Sequence, residues 1–159
     1  MTTQAGATSV RHEIIVNVPI ERAFSVFTKD FGTFKPPDHN LLEVPIAETI
    51  FESHVGGSVY DKGVDGSESH FARVLVYEPP HRVVISWDIS PQWSIETDHT
   101  KSSEVEVRFT AEAPDRTLVE LEHRNIERHG DGWDSIRDGV DGDSGWPLYL
   151  RRYVAILTA

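Results

Sequence analysis

The chain has 159 residues, 38% of them hydrophobic and 26% charged, which is the composition of one folded domain with an ordinary core. A formal net charge of −11 argues against nucleic-acid and anionic-membrane partners, because both depend on clustered lysine and arginine. The chain has no cysteine, which excludes disulfides, thiolate metal sites and cysteine nucleophiles. Lacking a secretory signal and a bilayer-spanning apolar run, the sequence predicts one cytoplasmic domain over residues 1–159, with a disordered leader at residues 1–8.

Hydrophobic periodicity predicts a strand and two helices in the first part of the chain. Residues 10–18 are rich in β-branched side chains and predict a strand. Pro19 ends this strand and opens an amphipathic helix that runs to about Thr28. A second, short helical turn is expected near Phe31–Phe34, within a segment to residue 45 that is mostly loop because it is rich in proline and glycine.

From residue 46 the period changes to two, which predicts six consecutive strands. They are expected at residues 47–55, 58–62, 70–77, 82–89, 102–110 and 117–127. In the fifth of these strands Val105, Val107 and Phe109 share one face, and charged residues occupy the other. One apolar and one charged face is what an antiparallel sheet covered on a single side requires.

The C-terminal stretch predicts a helix with a wide apolar stripe. The stripe follows the spacing i, i+3, i+4, i+7, i+8 and i+11, in Trp146, Tyr149, Leu150, Tyr153, Val154 and Leu157. A break near Gly142 separates it from a shorter helix that carries Trp133. The resulting β–α–α–β6–α order predicts an α+β domain, in which a curved antiparallel sheet of six to seven strands wraps around the long C-terminal helix.

Six segments of the sequence carry a family resemblance. They are V-N-V-P-I-E-R-A-F at 16–24, H-V-G-G-S-V-Y at 54–60, Y-E-P-P-H-R-V-V-I-S-W at 77–87, S-E-V-E-V-R-F at 103–109, L-V-E-L-E-H-R-N-I-E-R-H-G at 118–130 and G-W-P-L-Y-L at 145–150. Together they resemble the START-like superfamily, also called SRPBCC, and within it the branch of the C-terminal domain of the activator of heat-shock protein 90 ATPase. The chain departs from this branch at Phe31 and Phe34, where many relatives carry a tryptophan pair.

The resemblance implies a helix-grip fold with a deep apolar cavity between the sheet and the terminal helix. Members of the superfamily use this cavity for lipids, hormones, polyketides or aromatic molecules, and some members are cyclases or bind a partner chaperone. We therefore expect a non-catalytic protein that binds a small apolar or aromatic molecule and uses no cofactor, and a homodimer is one assembly that the sequence leaves open. The predicted ligand-binding residues are Phe34, Tyr60, Trp87, Val107, Phe109, His123, Trp133, Trp146, Tyr149 and Tyr153. Trp93, in a proline-flanked loop, is a candidate lid residue.

Two other functional classes compete with this interpretation. The first is an enzyme of the polyketide cyclase or hydratase type, with His123 as general base and Asp61 or Tyr60 assisting. The second is a co-chaperone-like protein-interaction module. Strand parity points His123 inward, although a histidine satisfied by a backbone carbonyl near the strand end is the simpler interpretation. Tyr60 and Asp61 must face opposite sides of their strand, and periodicity does not decide which of them points inward.

Other kinds of site find no support in the sequence. None of the eight histidines belongs to an H-E-x-x-H motif or to a helical i, i+4 pair with a third ligand nearby, so no metal site is expected. The G-x-S-x-G nucleophile motif is missing. Gly56–Gly57 predicts a hairpin turn and not a phosphate-binding loop, because no helix follows it.

Overall fold

The computed structural model describes residues 7–158. Of the predicted leader, residues 1–6 lie outside the described residues. Thr8 is held at the edge of the fold, where its carbonyl accepts a 3.0 Å hydrogen bond from the backbone N–H of Ile126.

Seven antiparallel strands form one curled sheet, and four helices accompany it. The strands are β1 (Val10–Val16), β2 (Ile46–Phe51), β3 (Ser58–Gly63), β4 (Glu68–Glu78), β5 (Arg82–Trp87), β6 (Ser103–Ala113) and β7 (Arg116–Arg124). The helices are α1 (Ile20–Lys29), α2 (Phe31–Phe34), α3 (Trp133–Asp141) and α4 (Trp146–Thr158). The order across the sheet is β1-β7-β6-β5-β4-β3-β2, so β1 and β2 are its two edges. The predicted α+β helix-grip architecture and its element order are confirmed.

Four strands, β1, β2, β5 and β7, end two to four residues earlier than the sequence predicted. After β2, the Glu52 carboxylate accepts a 2.7 Å hydrogen bond from the backbone N–H of Ser58, and Gly56 adopts a φ of 87°, which together form a turn. After β5, Asp88 and the residues that follow leave the regular ladder. After β7, Asn125 adopts a φ of 58° and starts a 3₁₀ turn at Ile126–His129.

The outer face of the sheet is charged, as predicted, but one of its carboxylates is buried. The Glu106 side chain is only 3% exposed, because Arg82, Arg108 and Arg124 close over it with hydrogen bonds. Burial alone raises the pKa of this carboxyl, yet the three arginines outweigh burial and lower the pKa to about 2. Long arginine side chains therefore cover the centre of the sheet on the side that no helix protects.

The inner face packs on α1, α2 and α4 through one group of rings, the aromatic cluster. The cluster comprises Phe24, Phe27, Phe31, Phe34, Phe109 and Tyr153, with neighbouring ring centroids 5.0–6.1 Å apart. Most of these pairs meet edge to face or tilted, as their quadrupoles favour. Tyr153 also donates a 2.6 Å hydrogen bond to the backbone carbonyl of Ala23, which ties α4 to α1. The C-terminal half of α4 therefore lies on a filled core.

The predicted break between the last two helices is present. Gly145 sits so close to the end of α3 that a Cβ atom there would lie 2.2 Å from the carbonyl oxygen of Val140. Only glycine allows this approach of the two helices. Five of the six residues in the predicted stripe of α4 are buried, and Val154 is half-buried.

Candidate functional site

A cavity of about 370 Å³ lies between the N-terminal half of α4 and strands β3 to β5. The segment that follows α2 and the loop that carries Trp93 complete its walls. This volume falls within the usual range of small-molecule pockets. The fold therefore leaves space at one end of α4 and fills it at the other.

Four aromatic residues form the apolar wall of the cavity. Phe71 meets Trp87 at 6.2 Å between ring centroids, Trp87 meets Trp146 at 5.4 Å, and Trp146 meets Tyr149 at 5.0 Å. Such a wall presents flat, polarisable surfaces, which suit a planar ring. Leu41, Ile89 and Val140 add aliphatic surface to the lining.

A buried ion pair lies in the lining. Lys35 Nζ is 3.0 Å from Asp61 Oδ2, with side chains 5% and 3% exposed. The Thr49 hydroxyl donates a 2.5 Å hydrogen bond to Asp61 Oδ1, and Lys35 also donates to the carbonyl oxygen of His39. Burial lowers the pKa of the Lys35 amine, while Asp61 opposes that shift. The positive charge of Lys35 and the negative charge of Asp61 therefore balance each other within an apolar wall. The Lys35 ammonium also lies 5.3 Å from the ring centroid of Phe71.

A histidine and a tyrosine form a second polar pair at the cavity. His39 Nδ1 and the Tyr149 hydroxyl are 2.9 Å apart. Burial lowers the pKa of His39, against the opposing charge of Asp38, and it raises the pKa of Tyr149. Both groups are therefore neutral near pH 7, and the imidazole and the phenol can exchange a proton with a bound molecule.

Two residues of the lining each carry a buried polar atom that has no hydrogen-bond partner among the described residues. These atoms are Ser69 Oγ and Trp87 Nε1, on residues that are each 6% exposed. Buried polar groups in proteins are nearly always paired, so two unpaired atoms on residues that line one cavity are an unusual feature of this site.

His123 is fully buried and is not part of the cavity lining. Its Nδ1 accepts a 3.1 Å hydrogen bond from Trp146 Nε1, so its Nε2 carries the proton and donates to Ser103 Oγ at 2.7 Å. The same hydroxyl lies 2.7 Å from Nε2 of His129. Burial, with a smaller contribution from His129, lowers the pKa of His123 to about 3. The chain His123–Ser103–His129 thus anchors the first turn of α4 to the sheet.

The predicted acid–base pair of His123 and Asp61 is not formed, since Asp61 is paired with Lys35 and Thr49. The open question of strand orientation is answered by burial, because Asp61 points inward and Tyr60 outward. Tyr60 stacks on His70 with ring centroids 4.3 Å apart, on the face opposite the cavity.

The structure brings three of the ten predicted ligand-binding residues together, namely Trp87, Trp146 and Tyr149. Among the described residues, the other seven do not line the cavity. Phe34, Val107, Phe109 and Tyr153 are buried in the packed core. Trp133 is half-buried with its ring 5.2 Å from the Arg137 guanidinium. Trp93, the predicted lid residue, lines the cavity and is 52% exposed, with its ring against Gly139 of α3.

Four further residues of the lining were not predicted from the sequence, namely Lys35, His39, Ser69 and Phe71. Ser69 and Phe71 both point inward on β4. Phe71 lay within the predicted strand at 70–77, whereas Ser69 lay one residue before it. Lys35 and His39 lie in a proline-rich segment without periodicity, so no local pattern indicates where they point.

Within residues 7–158 no group of histidine, aspartate or glutamate side chains has the arrangement of a metal site. No helix in the same range is long and apolar enough to cross a membrane.

Comparison with known proteins gives one family match and many structural ones. The sequence model of the family described as "Activator of Hsp90 ATPase homolog 1-like protein" matches residues 17–158. A search of curated proteins finds no match.

Three solved structures show the range of similar proteins. Anthrahydroquino-gamma-pyrone synthase Txn09 is 36% identical, with a TM-score of 0.67, over 93% of this chain and 96% of the synthase. The self-sacrificing resistance protein CalC of Micromonospora echinospora is 26% identical, with a TM-score of 0.68, over 94% of this chain and 93% of CalC. An HSP90 activator of Plasmodium falciparum is 20% identical, with a TM-score of 0.61, over 96% of this chain and 97% of the activator.

Proposed function

We propose that this chain, which belongs to the Activator of Hsp90 ATPase homolog 1-like family of the START-like (SRPBCC) superfamily, binds a small aromatic molecule in the cavity beside α4. The observation that carries the proposal is the cavity of about 370 Å³, because it combines four aromatic walls with two unpaired buried polar atoms. Apolar burial against these walls supplies the affinity, and the polar atoms orient the ligand.

A second function, ring closure in an aromatic polyketide, is favoured by the 36% identity to a pyrone synthase over nearly the whole of both chains. In that case the proton-transferring groups are His39 and Tyr149, which line the cavity 2.9 Å apart, and not His123. The pair is neutral near pH 7 and so holds one acceptor and one donor, as a step that moves a proton between two ligand atoms requires. Turnover that survives in both His39→Gln and Tyr149→Phe would contradict this assignment.

The co-chaperone interpretation receives no comparable support. The likeness to the HSP90 activator, at 20% identity, is one of fold. A cytoplasmic location, a homodimer and the lack of a cofactor stay predictions from the sequence.

Native mass spectrometry of the freshly purified protein tests the binding proposal. We expect a reproducible excess mass that is lost on denaturation, or a stoichiometric complex once an aromatic compound is added. Leu41→Trp places a large ring in the cavity and is expected to abolish the complex. Val64→Trp is the matched control, because residue 64 is 65% exposed in a hairpin outside the cavity. Absence of any complex in the wild type, or unchanged binding in Leu41→Trp, would contradict the proposal.

A further inference from the structure

We infer that the cavity selects aromatic ligands that carry a neutral ring carbonyl, in preference to hydrocarbons, acyl chains or anions. The inference rests on the proposed binding function and specifies the chemistry of its ligand. It depends on four lining residues that we call the Phe71 corner, which are Lys35, Ser69, Phe71 and Trp87.

The Phe71 corner gathers polar groups around one ring. Ser69 and Phe71 lie two residues apart and so face the same side of β4. Trp87 stands on the neighbouring strand, edge-on to Phe71 at 6.2 Å, and the Lys35 ammonium lies 5.3 Å from the centroid of the Phe71 ring. A ring bound against Phe71 therefore has an indole, a hydroxyl and an ammonium group around it.

The unpaired atoms determine which ligand group fits. An indole N–H can only donate a hydrogen bond, so Trp87 Nε1 requires an acceptor on the ligand. The hydroxyl of Ser69 can donate or accept, and it is compatible with the same oxygen or with a neighbouring hydroxyl. A hydrocarbon or an acyl chain would leave both atoms buried without partners, which disfavours binding.

The charges of the cavity exclude an anion as the preferred ligand. The ammonium of Lys35 is already neutralised by Asp61 at 3.0 Å, and Asp38 adds a further negative charge to the lining. A carboxylate ligand would have to compete with Asp61 for the lysine. A neutral carbonyl does not compete with Asp61 for the lysine and leaves the ion pair intact.

Three probes built on one tricyclic frame separate these cases: fluorene, fluorenone and fluorenecarboxylate. Fluorenone differs from fluorene by one carbonyl in place of a methylene group, and fluorenecarboxylate carries an added, negatively charged carboxylate group. By calorimetric or fluorescence titration of the wild type, we expect fluorenone to bind about tenfold more tightly than fluorene, and fluorenecarboxylate to bind most weakly.

Trp87→Phe keeps an aromatic wall but removes the donor, and we expect it to abolish the preference for fluorenone. Trp133→Phe is the matched control, because Trp133 lies outside the cavity lining, and it should keep the full preference. Ser69→Ala is the second variant, with an expected loss of about threefold in fluorenone affinity and little change for fluorene. It also serves if Trp87→Phe does not fold, which thermal melting checks.

The outcomes distinguish the inference from the proposal beneath it. Equal binding of fluorene and fluorenone by the wild type, or a preference that survives both in Trp87→Phe and in Ser69→Ala, overturns the inference and leaves the binding function standing. If none of the three probes binds, the proposed aromatic-binding function is overturned and the inference falls with it.

Discussion

Tyr149 and Tyr153 lie about one turn apart on α4, but their surroundings differ. Tyr149 belongs to the open end of the domain, where the N-terminal half of α4 borders the cavity, and Tyr153 belongs to the closed end, where the C-terminal half packs on the aromatic cluster. Both side chains are buried, and burial raises the pKa of both phenols. Tyr153 donates to a backbone carbonyl of α1 inside the aromatic cluster. Tyr149 pairs with a histidine side chain and borders the cavity. One phenol holds two helices together, and the other lies at the cavity.

The difference arises from what faces each half of the helix. The C-terminal half meets α1 and α2, whose phenylalanines fill the space with close ring contacts. The N-terminal half meets β3 to β5 and the segment after α2, which supply an ion pair and unpaired polar atoms and leave a cavity. Tight packing at one end lets the domain stay folded while the other end keeps unfilled space, because stability is not uniform across a structure.

The largest expected effect comes from breaking the ion pair at the open end. Lys35→Met leaves the buried carboxylate of Asp61 with only Thr49 as a partner, and we expect the free energy of unfolding to fall by about 3–5 kcal/mol. Urea denaturation measures this change. Adding Asp61→Asn to Lys35→Met should restore most of the loss, since the two residues act as a unit. If Lys35→Met lowers the free energy of unfolding by less than about 1 kcal/mol, the ion pair behaves like a solvent-exposed one and the prediction is wrong.

Truncation in the closed end tests its packing. Phe34 is fully buried among Phe27, Phe31 and Tyr153, and Phe34→Ala should lower the free energy of unfolding by about 3–5 kcal/mol through the cavity that it creates. The milder Phe34→Leu should remain folded and keep wild-type affinity for fluorenone, because residue 34 does not line the cavity. A marked loss of affinity in Phe34→Leu would remove the distinction between the two ends.

Low pH should destabilise the contact that holds the first turn of α4 on the sheet, which is the hydrogen bond between Trp146 and His123. The pKa of His123 is about 3 in the fold, below the value of about 6.5 for an exposed histidine. The neutral imidazole therefore contributes stability that is fully present above about pH 6.5 and is lost as the pH falls towards 3, on the order of 3 kcal/mol by pH 4. His129 also has a lowered pKa, and Asp88 and Glu96 oppose that shift.

Urea denaturation at several pH values measures how steeply the free energy of unfolding changes with pH. His123→Gln keeps an acceptor for Trp146 and a donor for Ser103 but does not titrate, so stability should depend less on pH in this variant. Parallel curves for the two proteins between pH 6.5 and pH 4 would show that His123 contributes nothing to the acid response.

The smallest expected effects distinguish the two tyrosines directly. Tyr153→Phe should lower the free energy of unfolding by about 1 kcal/mol, through the lost hydrogen bond to Ala23, and leave fluorenone affinity unchanged. Tyr149→Phe should change stability less and alter ligand affinity or turnover instead. The same two assays on both variants check this, and reversed assignments would contradict the comparison.

The fold was predictable because its signals are periodic. The stripe on α4 and the alternation of Val105, Val107 and Phe109 each follow from one regular element, and the structure confirms the resulting order. Strand ends were less accurate, because Asn125 and Gly56 change the backbone locally.

The site was only partly predictable, because it depends on which elements meet across the sheet. Trp87 was found by strand parity and Tyr149 by the apolar stripe of α4, but neither pattern can separate a filled wall from an open one, so Phe109 and Tyr153 were also included. His123 was correctly placed on the inner face. Its hydrogen bond to Trp146 depends on the docking of α4, which local sequence does not encode.

The central claim is that ligand enters only the end of the domain where α4 begins. The four tryptophans allow a direct test, by the indole N–H signals of ¹⁵N-labelled protein during titration with fluorenone. We predict that Trp87 shifts most, that Trp146 and Trp93 respond as neighbours in the lining, and that Trp133 does not move. A shift of Trp133 as large as that of Trp87, or four signals unchanged at saturating fluorenone, would contradict the account.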